Sequence, residues 1–132
     1  MTDQKLEIDT ILHVSFICRD LQAAVHFYCD VLDMQLDAQR PDLGYPGAWL
    51  NFGSYQIHLL QLPNPDPVIG RPQHGGRDRH VALGIRALDV LIERLEQHGL
   101  HYTLSRSGRR ALFVRDPDGN ALEFIETPAE SD

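Results

Sequence analysis

The chain has 132 residues, enough for one compact domain or for two small halves that share a core. Its formal net charge of −7 argues against a nucleic acid partner, because a phosphate backbone attracts basic proteins. No apolar stretch approaches the roughly 20 residues of a membrane-spanning helix, and residues 1–7 lack the apolar core of a signal peptide. We therefore expect a cytoplasmic protein with no membrane partner, in which Cys18 and Cys29 stay reduced.

The first half of the chain predicts a strand, a helix, a short strand and a hairpin. The first strand is rich in β-branched and aromatic residues, and Asp20 is a suitable N-cap for the helix that follows. Apolar residues then recur at helical spacing as far as about Met34. These predicted elements cover residues 11–18, 21–34, 35–40, 48–52 and 55–62.

The second half repeats this order after a proline-rich linker over residues 63–78. Its helix is followed by Gly99, a suitable left-handed C-terminal cap, and residues 128–132 are expected to fray. The predicted elements cover residues 79–85, 88–98, 102–106, 110–115 and 121–126. We expect one α+β domain over residues 1–132, built from two βαβββ modules at about 9–62 and 79–127.

The internal repeat places one metal-binding residue type on each of four strands. His13 and His80 lie in the opening strands of the two halves, and His58 and Glu123 lie in the closing strands. In each strand, the alternate face is apolar and can pack on the helices. If the two sheets curl into one trough, the four side chains converge, and burying them without partners would be unfavourable. A bound metal ion would remove that penalty.

Three imidazoles and one carboxylate favour a transition metal over calcium. The ion would be zinc, iron, nickel, cobalt or manganese, with one or two positions left for water or substrate. Gln56 shares the face of His58 and could replace it as the fourth ligand. For any one of these histidines, a hydrogen-bonded strand residue is the competing interpretation, and the repeat is what favours the metal site.

Arginines gather in the second half of the chain. Arg77, Arg106 and Arg110 could bind an anionic group of a substrate through paired hydrogen bonds, with Gln56 as a further substrate contact. Ordinary surface charge is the alternative for each arginine. His74 lies in the adjacent loop and could reach the mouth of the trough.

Together these residues resemble the vicinal oxygen chelate superfamily, which includes glyoxalase I, bleomycin resistance proteins and extradiol dioxygenases. The resemblance spans residues 11–126. It rests on His13, on His58, on the run 79–83 that opens the second half, and above all on the run 116–124 that closes it. It implies paired βαβββ modules in a cupped mixed sheet, usually in a homodimer. It also implies one divalent metal ion and a small substrate that chelates the ion through adjacent oxygens.

The resemblance implies His13, His58, His80 and Glu123 as the metal ligands. Glyoxalase I commonly has a carboxylate where this chain has His58, so its isomerase mechanism transfers less directly. Both one-chain sites and sites shared across a dimer occur on this fold, and the sequence leaves the choice open.

Three functions are compatible with this pattern. The first is a metal-dependent lyase or isomerase of the lactoylglutathione lyase type, in which Glu123 removes a proton beside a substrate oxygen. The second is a ferrous-iron ring-cleaving dioxygenase, whose facial triad would be two histidines and one glutamate. The third is a non-catalytic, drug-binding resistance protein.

Overall fold

Two four-stranded mixed sheets make up the computed structural model, which describes residues 4–128. The strands are β1 (His13–Cys18), β2 (Gln35–Leu36), β3 (Gly47–Phe52), β4 (Tyr55–Gln61), β5 (His80–Ile85), β6 (Tyr102–Leu104), β7 (Ala111–Arg115) and β8 (Ala121–Glu126). The helices are α1 (Leu21–Val25), a π-helix (His26–Val31) that continues it, a 3-10 helix (Gly75–Arg77) and α2 (Leu88–Gln97). Most of the predicted frayed tail, residues 129–132, lies outside the described residues.

The two sheets have the same topology, which confirms the predicted α+β fold and its repeat. Their strand orders are β1-β4-β3-β2 and β5-β8-β7-β6. In each sheet the opening and closing strands of the module pair in parallel, and the remaining pairs are antiparallel. Because β1 and β5 lie at the ends of these orders, each is an edge strand of its own sheet.

The first helix departs from the predicted regular α-helix. Asp20 caps it as expected, since its carboxylate accepts from the Gln22 amide at 3.0 Å. From His26 onward the helix widens, and the Leu32 amide bonds to the Phe27 carbonyl five residues back. The helix ends near Leu32, before the predicted Met34, and the strands predicted over 35–40 and 102–106 are shorter than expected.

One continuous apolar core joins the two modules. Apolar side chains from α1, the π-helix and sheet β1–β4 pack in the same cluster as those from α2 and sheet β5–β8. The alternate strand residues face this core, among them Ile57, Leu59, Leu112 and Leu122, all buried. The opposite face of each sheet carries the polar residues that the sequence singles out. Among residues 4–128, no helix is long and apolar enough to cross a membrane.

Candidate metal centre

His80 and Glu123 form a pair on the polar face of the second sheet. The two residues lie on the neighbouring parallel strands β5 and β8, where Ala82 is the register partner of Glu123. The His80 Nε2 atom is 3.4 Å from the Glu123 Oε1 atom. The Glu123 side chain is 6% exposed and that of His80 27%, so the pair opens to solvent on the histidine side.

The chemistry of the His80–Glu123 pair suits a cation. The His80 Nδ1 atom lies 2.9 Å from the Asp78 carbonyl oxygen, which can only accept, so Nδ1 carries the hydrogen. In the neutral ring, Nε2 then presents its lone pair toward a carboxylate oxygen that is also an acceptor. Two acceptors at this separation fit a metal ion, and the backbone bond fixes the ring as metal-bound histidines require.

His13 and His58 form the corresponding pair on the first sheet. Their rings stack with centroids 3.8 Å apart and planes 11° apart, and Trp49 stacks on the other side of His58 at 4.6 Å. Burial, followed by the nearby His13 and Arg40, lowers the pKa of His58. These surroundings therefore favour the neutral imidazole, the form that binds metals.

Gln56 holds His58 in place. Its amide nitrogen donates to Asp37 at 2.9 Å and to Asn51 at 2.8 Å, which leaves its oxygen 2.8 Å from His58 Nε2. The Asp37 carboxylate can only accept, so the Gln56 amide nitrogen must point toward Asp37 and the Gln56 oxygen toward His58. His58 Nε2 is therefore the donor to Gln56, and in the neutral ring Nδ1 carries the lone pair. Both ends of Gln56 are thus engaged with neighbouring side chains, and it acts as a support for His58 in this arrangement.

One chain holds these four residues as two separate pairs. His13 lines a cavity of about 690 Å³ with Ala82 and Gly84 of β5, whereas His80 lines a different cavity with Ser15 of β1. Among residues 4–128, no group of three His, Cys, Asp or Glu side chains could hold a metal ion. Each pair supplies two donors, fewer than the three or four protein ligands of common transition-metal sites.

The three predicted arginines lie in three different surroundings. Arg106 lines a cavity of about 680 Å³ whose wall includes His74 and Phe113. Arg77 ends the 3-10 helix, which packs on Phe113. Arg110 is held elsewhere, because its guanidinium bonds to Asp89 and Glu126, both at 2.9 Å, beside the first turn of α2.

Arg109, which the sequence did not single out, is the arginine beside Glu123. Its Nη2 atom is 3.7 Å from Glu123 Oε2. Strand alternation could have identified it, because Arg109, Ala111 and Phe113 share one parity and Phe113 pairs with Glu123 across β7 and β8.

The linker between the modules covers part of the polar face of the second sheet. Gly75 and Gly76 lie against Phe113, where an added Cβ atom would come within 3.2 Å of that side chain. His74 packs edge-on to the same ring at 4.8 Å and bonds to Thr103 at 2.8 Å. The linker therefore forms one wall of the cavity beside the His80–Glu123 pair.

Comparisons with known proteins agree with this geometry. The Glyoxalase/Bleomycin resistance protein/Dioxygenase superfamily matches residues 10–124. "Glyoxylase I 4" from Arabidopsis thaliana is 31% identical over 90% of this chain and 71% of its own length. A lactoylglutathione lyase from Haemophilus influenzae is 30% identical over 88% of this chain and 91% of its own. The crystal structure of a protein assigned to the glyoxalase family from Bacillus anthracis superposes with a TM-score of 0.78 at 23% identity, covering 94% and 99% of the two chains.

Proposed function

The chain belongs to the Glyoxalase/Bleomycin resistance protein/Dioxygenase superfamily, and from that premise we propose that it is a metal-dependent lyase or isomerase acting on a small substrate with adjacent oxygens. The observation that carries the proposal is the convergence of His80 Nε2 and Glu123 Oε1, two atoms of metal-binding type that lie 3.4 Å apart. The similarity to a lactoylglutathione lyase along most of both chains supports the choice of reaction class. In this proposal the ligands are His13, His58, His80 and Glu123.

A divalent ion at this site would act as a Lewis acid that makes the carbon next to a chelating oxygen more acidic. Glu123 is the residue that we assign to remove that proton. Its carboxylate is buried and faces the opening lined by His80 and Arg109. A carboxylate that also binds the ion is a weak base, so Glu123 would have to leave the ion to accept the proton.

The proposal requires a second copy of the chain. Two donors from one module cannot complete a site, so the His13–His58 pair of one copy would join the His80–Glu123 pair of another. β1 and β5 each end the strand order of their own sheet, and an edge strand can pair with a strand of another chain. A homodimer built this way would carry two equivalent sites.

Two experiments test the proposal in sequence. Elemental analysis of protein purified without an affinity tag should find a transition metal bound at close to one ion per chain. Protein reloaded in turn with nickel, zinc, cobalt, manganese or iron should then convert the adduct of methylglyoxal and glutathione. Oxygen consumption with a catechol would instead indicate the dioxygenase function, and metal-free protein that binds a cationic aromatic drug would indicate the resistance function.

The variant Glu123→Gln separates chemistry from folding. Removal of a general base lowers turnover by about 10²- to 10⁴-fold, and a buried amide of the same shape should leave the fold intact. Glu93→Gln is the matched control, because Glu93 is exposed on α2 and its carboxylate accepts a hydrogen bond from Gln97 on the same helix. Full turnover by Glu123→Gln, measured with the adduct and the reloaded metal, would reject the assigned role.

A further inference from the structure

Arg109 stands at the opening of the site with most of its hydrogen-bonding capacity unused. Its side chain is 59% exposed, whereas the neighbouring Glu123 is 6% exposed. The separation of 3.7 Å between Arg109 Nη2 and Glu123 Oε2 exceeds a hydrogen-bond length. A guanidinium carries five N–H donors, and the remaining ones face the solvent where a substrate would enter.

Ser107 fixes the position of Arg109. The Ser107 hydroxyl lies 3.3 Å from Arg109 Nε and 3.4 Å from its backbone nitrogen, and Ser105 in turn bonds to Ser107 at 2.8 Å. Gly108, between them, adopts φ +86°, which a glycine accommodates without strain. The contact with Ser107 therefore restrains the guanidinium on the side of Glu123, which lowers the entropy lost on binding a ligand.

Positive charge is in excess around this opening, although the protein as a whole is acidic. Within residues 4–128, Arg77 and Arg106 form no ion pair, and Glu123 supplies the one carboxylate beside the Arg109 guanidinium. Two further arginines near this part of the sheet, Arg71 and Arg115, share the single carboxylate of Asp78. The Glu123 carboxylate thus faces the Arg109 guanidinium, and Arg106 lines the adjoining cavity, before any metal ion adds further positive charge.

We propose that Arg109, positioned by Ser107, binds an anionic oxyacid group of the substrate, a carboxylate or a phosphate, beside the metal-chelating oxygens. This inference rests on the proposed function, because it uses the same site. Arg106 faces the adjoining cavity of about 680 Å³, whose wall shares Phe113 with the His80–Glu123 pair. The substrate class is therefore an anionic hydroxy- or dicarbonyl compound, small enough for that cavity.

Three hydroxyketones test this inference, because they share the same adjacent oxygens and differ in the third substituent. Hydroxyacetone is neutral, hydroxypyruvate carries a carboxylate, and dihydroxyacetone phosphate carries a phosphate. Titration calorimetry with zinc-loaded protein should show that one anionic compound binds at least about tenfold more tightly than the neutral one. A tenfold ratio corresponds to about 1.4 kcal/mol of binding free energy. The preferred anionic compound identifies whether the site suits a carboxylate or a phosphate.

Variants assign that preference to Arg109. In Arg109→Gln the ratio of anionic to neutral affinity should fall toward one, Arg109→Lys should keep part of it, and Ser107→Ala should reduce it several-fold. Arg19→Gln is the control, because it removes the same charge from an exposed residue at the end of β1. Elemental analysis reports the metal site separately: wild-type protein that binds no metal would count against the proposed function, whereas the affinity ratios are compared only among variants with wild-type metal content. Equal ratios in wild type and Arg109→Gln, or no wild-type preference, would overturn the inference.

Discussion

Tyr28 and Asp116 connect the two modules through one buried hydrogen bond. The Tyr28 hydroxyl donates to the Asp116 carboxylate at 2.7 Å, and neither side chain is more than 5% exposed. The backbone amides of Asp118 and Asn120 occupy the other carboxylate oxygen, both at 2.9 Å. Burial raises the pKa of Asp116 although these donors lower it, so this carboxyl depends on each of its partners.

The variant Tyr28→Phe should therefore destabilise the protein by about 1–3 kcal/mol, because it removes a buried hydrogen bond to the Asp116 Oδ2 atom, which keeps the Asn120 side-chain donor at 2.9 Å. Urea unfolding followed by circular dichroism measures this change in the free energy of unfolding. Tyr102→Phe is the matched control, since the Tyr102 hydroxyl donates to Glu96 at the surface, and it should have no measurable effect. Equal stability of Tyr28→Phe and wild type would show that this bond does not hold the modules together.

Glu126 supplies the N-terminal cap of α2 from a neighbouring strand. The residue at the cap position is Ala87, whose side chain cannot accept a hydrogen bond. Instead the Leu88 amide donates to Glu126 Oε2 at 3.0 Å, while Arg110 Nε donates to Oε1 at 2.9 Å. The bond from Leu88, followed by that from Arg110, lowers the pKa of Glu126. The cap thus joins α2 to both β8 and the start of β7.

This cap predicts a defined pH dependence. Because the folded-state pKa of Glu126 is lowered, its contribution to stability is present above the unfolded value of about 4.3 and is lost as the pH falls through the folded value. Glu126→Gln should lower the Tm at pH 7, and the gap from wild type should close as the pH falls below about 4. Glu93→Gln, in the middle of the same helix, should show neither effect. A gap that stays constant down to pH 3 would contradict this account.

The order of elements and the His80–Glu123 pair could be predicted because both follow from strand alternation and the repeat. The π-helix could not, since the apolar spacing from Leu21 to Leu32 suits a regular helix equally well. The sequence predicted the turn at residues 116–120. It did not predict the hydrogen bond from Tyr28 to Asp116, because these residues lie 88 positions apart and no local pattern connects them. Arg109 and Arg110 are neighbours of the same type, yet Arg109 faces Glu123 whereas Arg110 bonds to Asp89 and Glu126, and these tertiary partners leave no local signal.

At the scale of the whole molecule, the separation of the two ligand pairs is the feature that sequence alone left open. The repeat indicated four converging residues, and one chain brings them together two by two. No local pattern encodes whether the modules of one chain or of two chains face each other, because the strand sequences are the same in both arrangements. This choice decides where the active site lies, and it can be tested without knowledge of the substrate's identity.

Mixed dimers distinguish a site shared between copies from a site within one chain. His13→Ala disables the first pair and Glu123→Gln the second, so each variant alone should be inactive. In a shared site, a dimer of the two variants contains one intact site, built from the first module of the Glu123→Gln copy and the second module of the His13→Ala copy. Random exchange at equal concentrations should then restore about a quarter of the wild-type activity.

A site within one chain would restore nothing, because no single chain in the mixture carries all four ligands. The control mixture combines Glu123→Gln with His80→Ala, which both disable the second pair and should stay inactive in either arrangement. Activity toward the methylglyoxal–glutathione adduct and the zinc content of the mixed dimers provide two independent measurements. Zinc bound by the mixture in excess of the zinc bound by either variant alone would locate the metal between the copies even without activity, since only the mixed dimer contains a site with all four ligands.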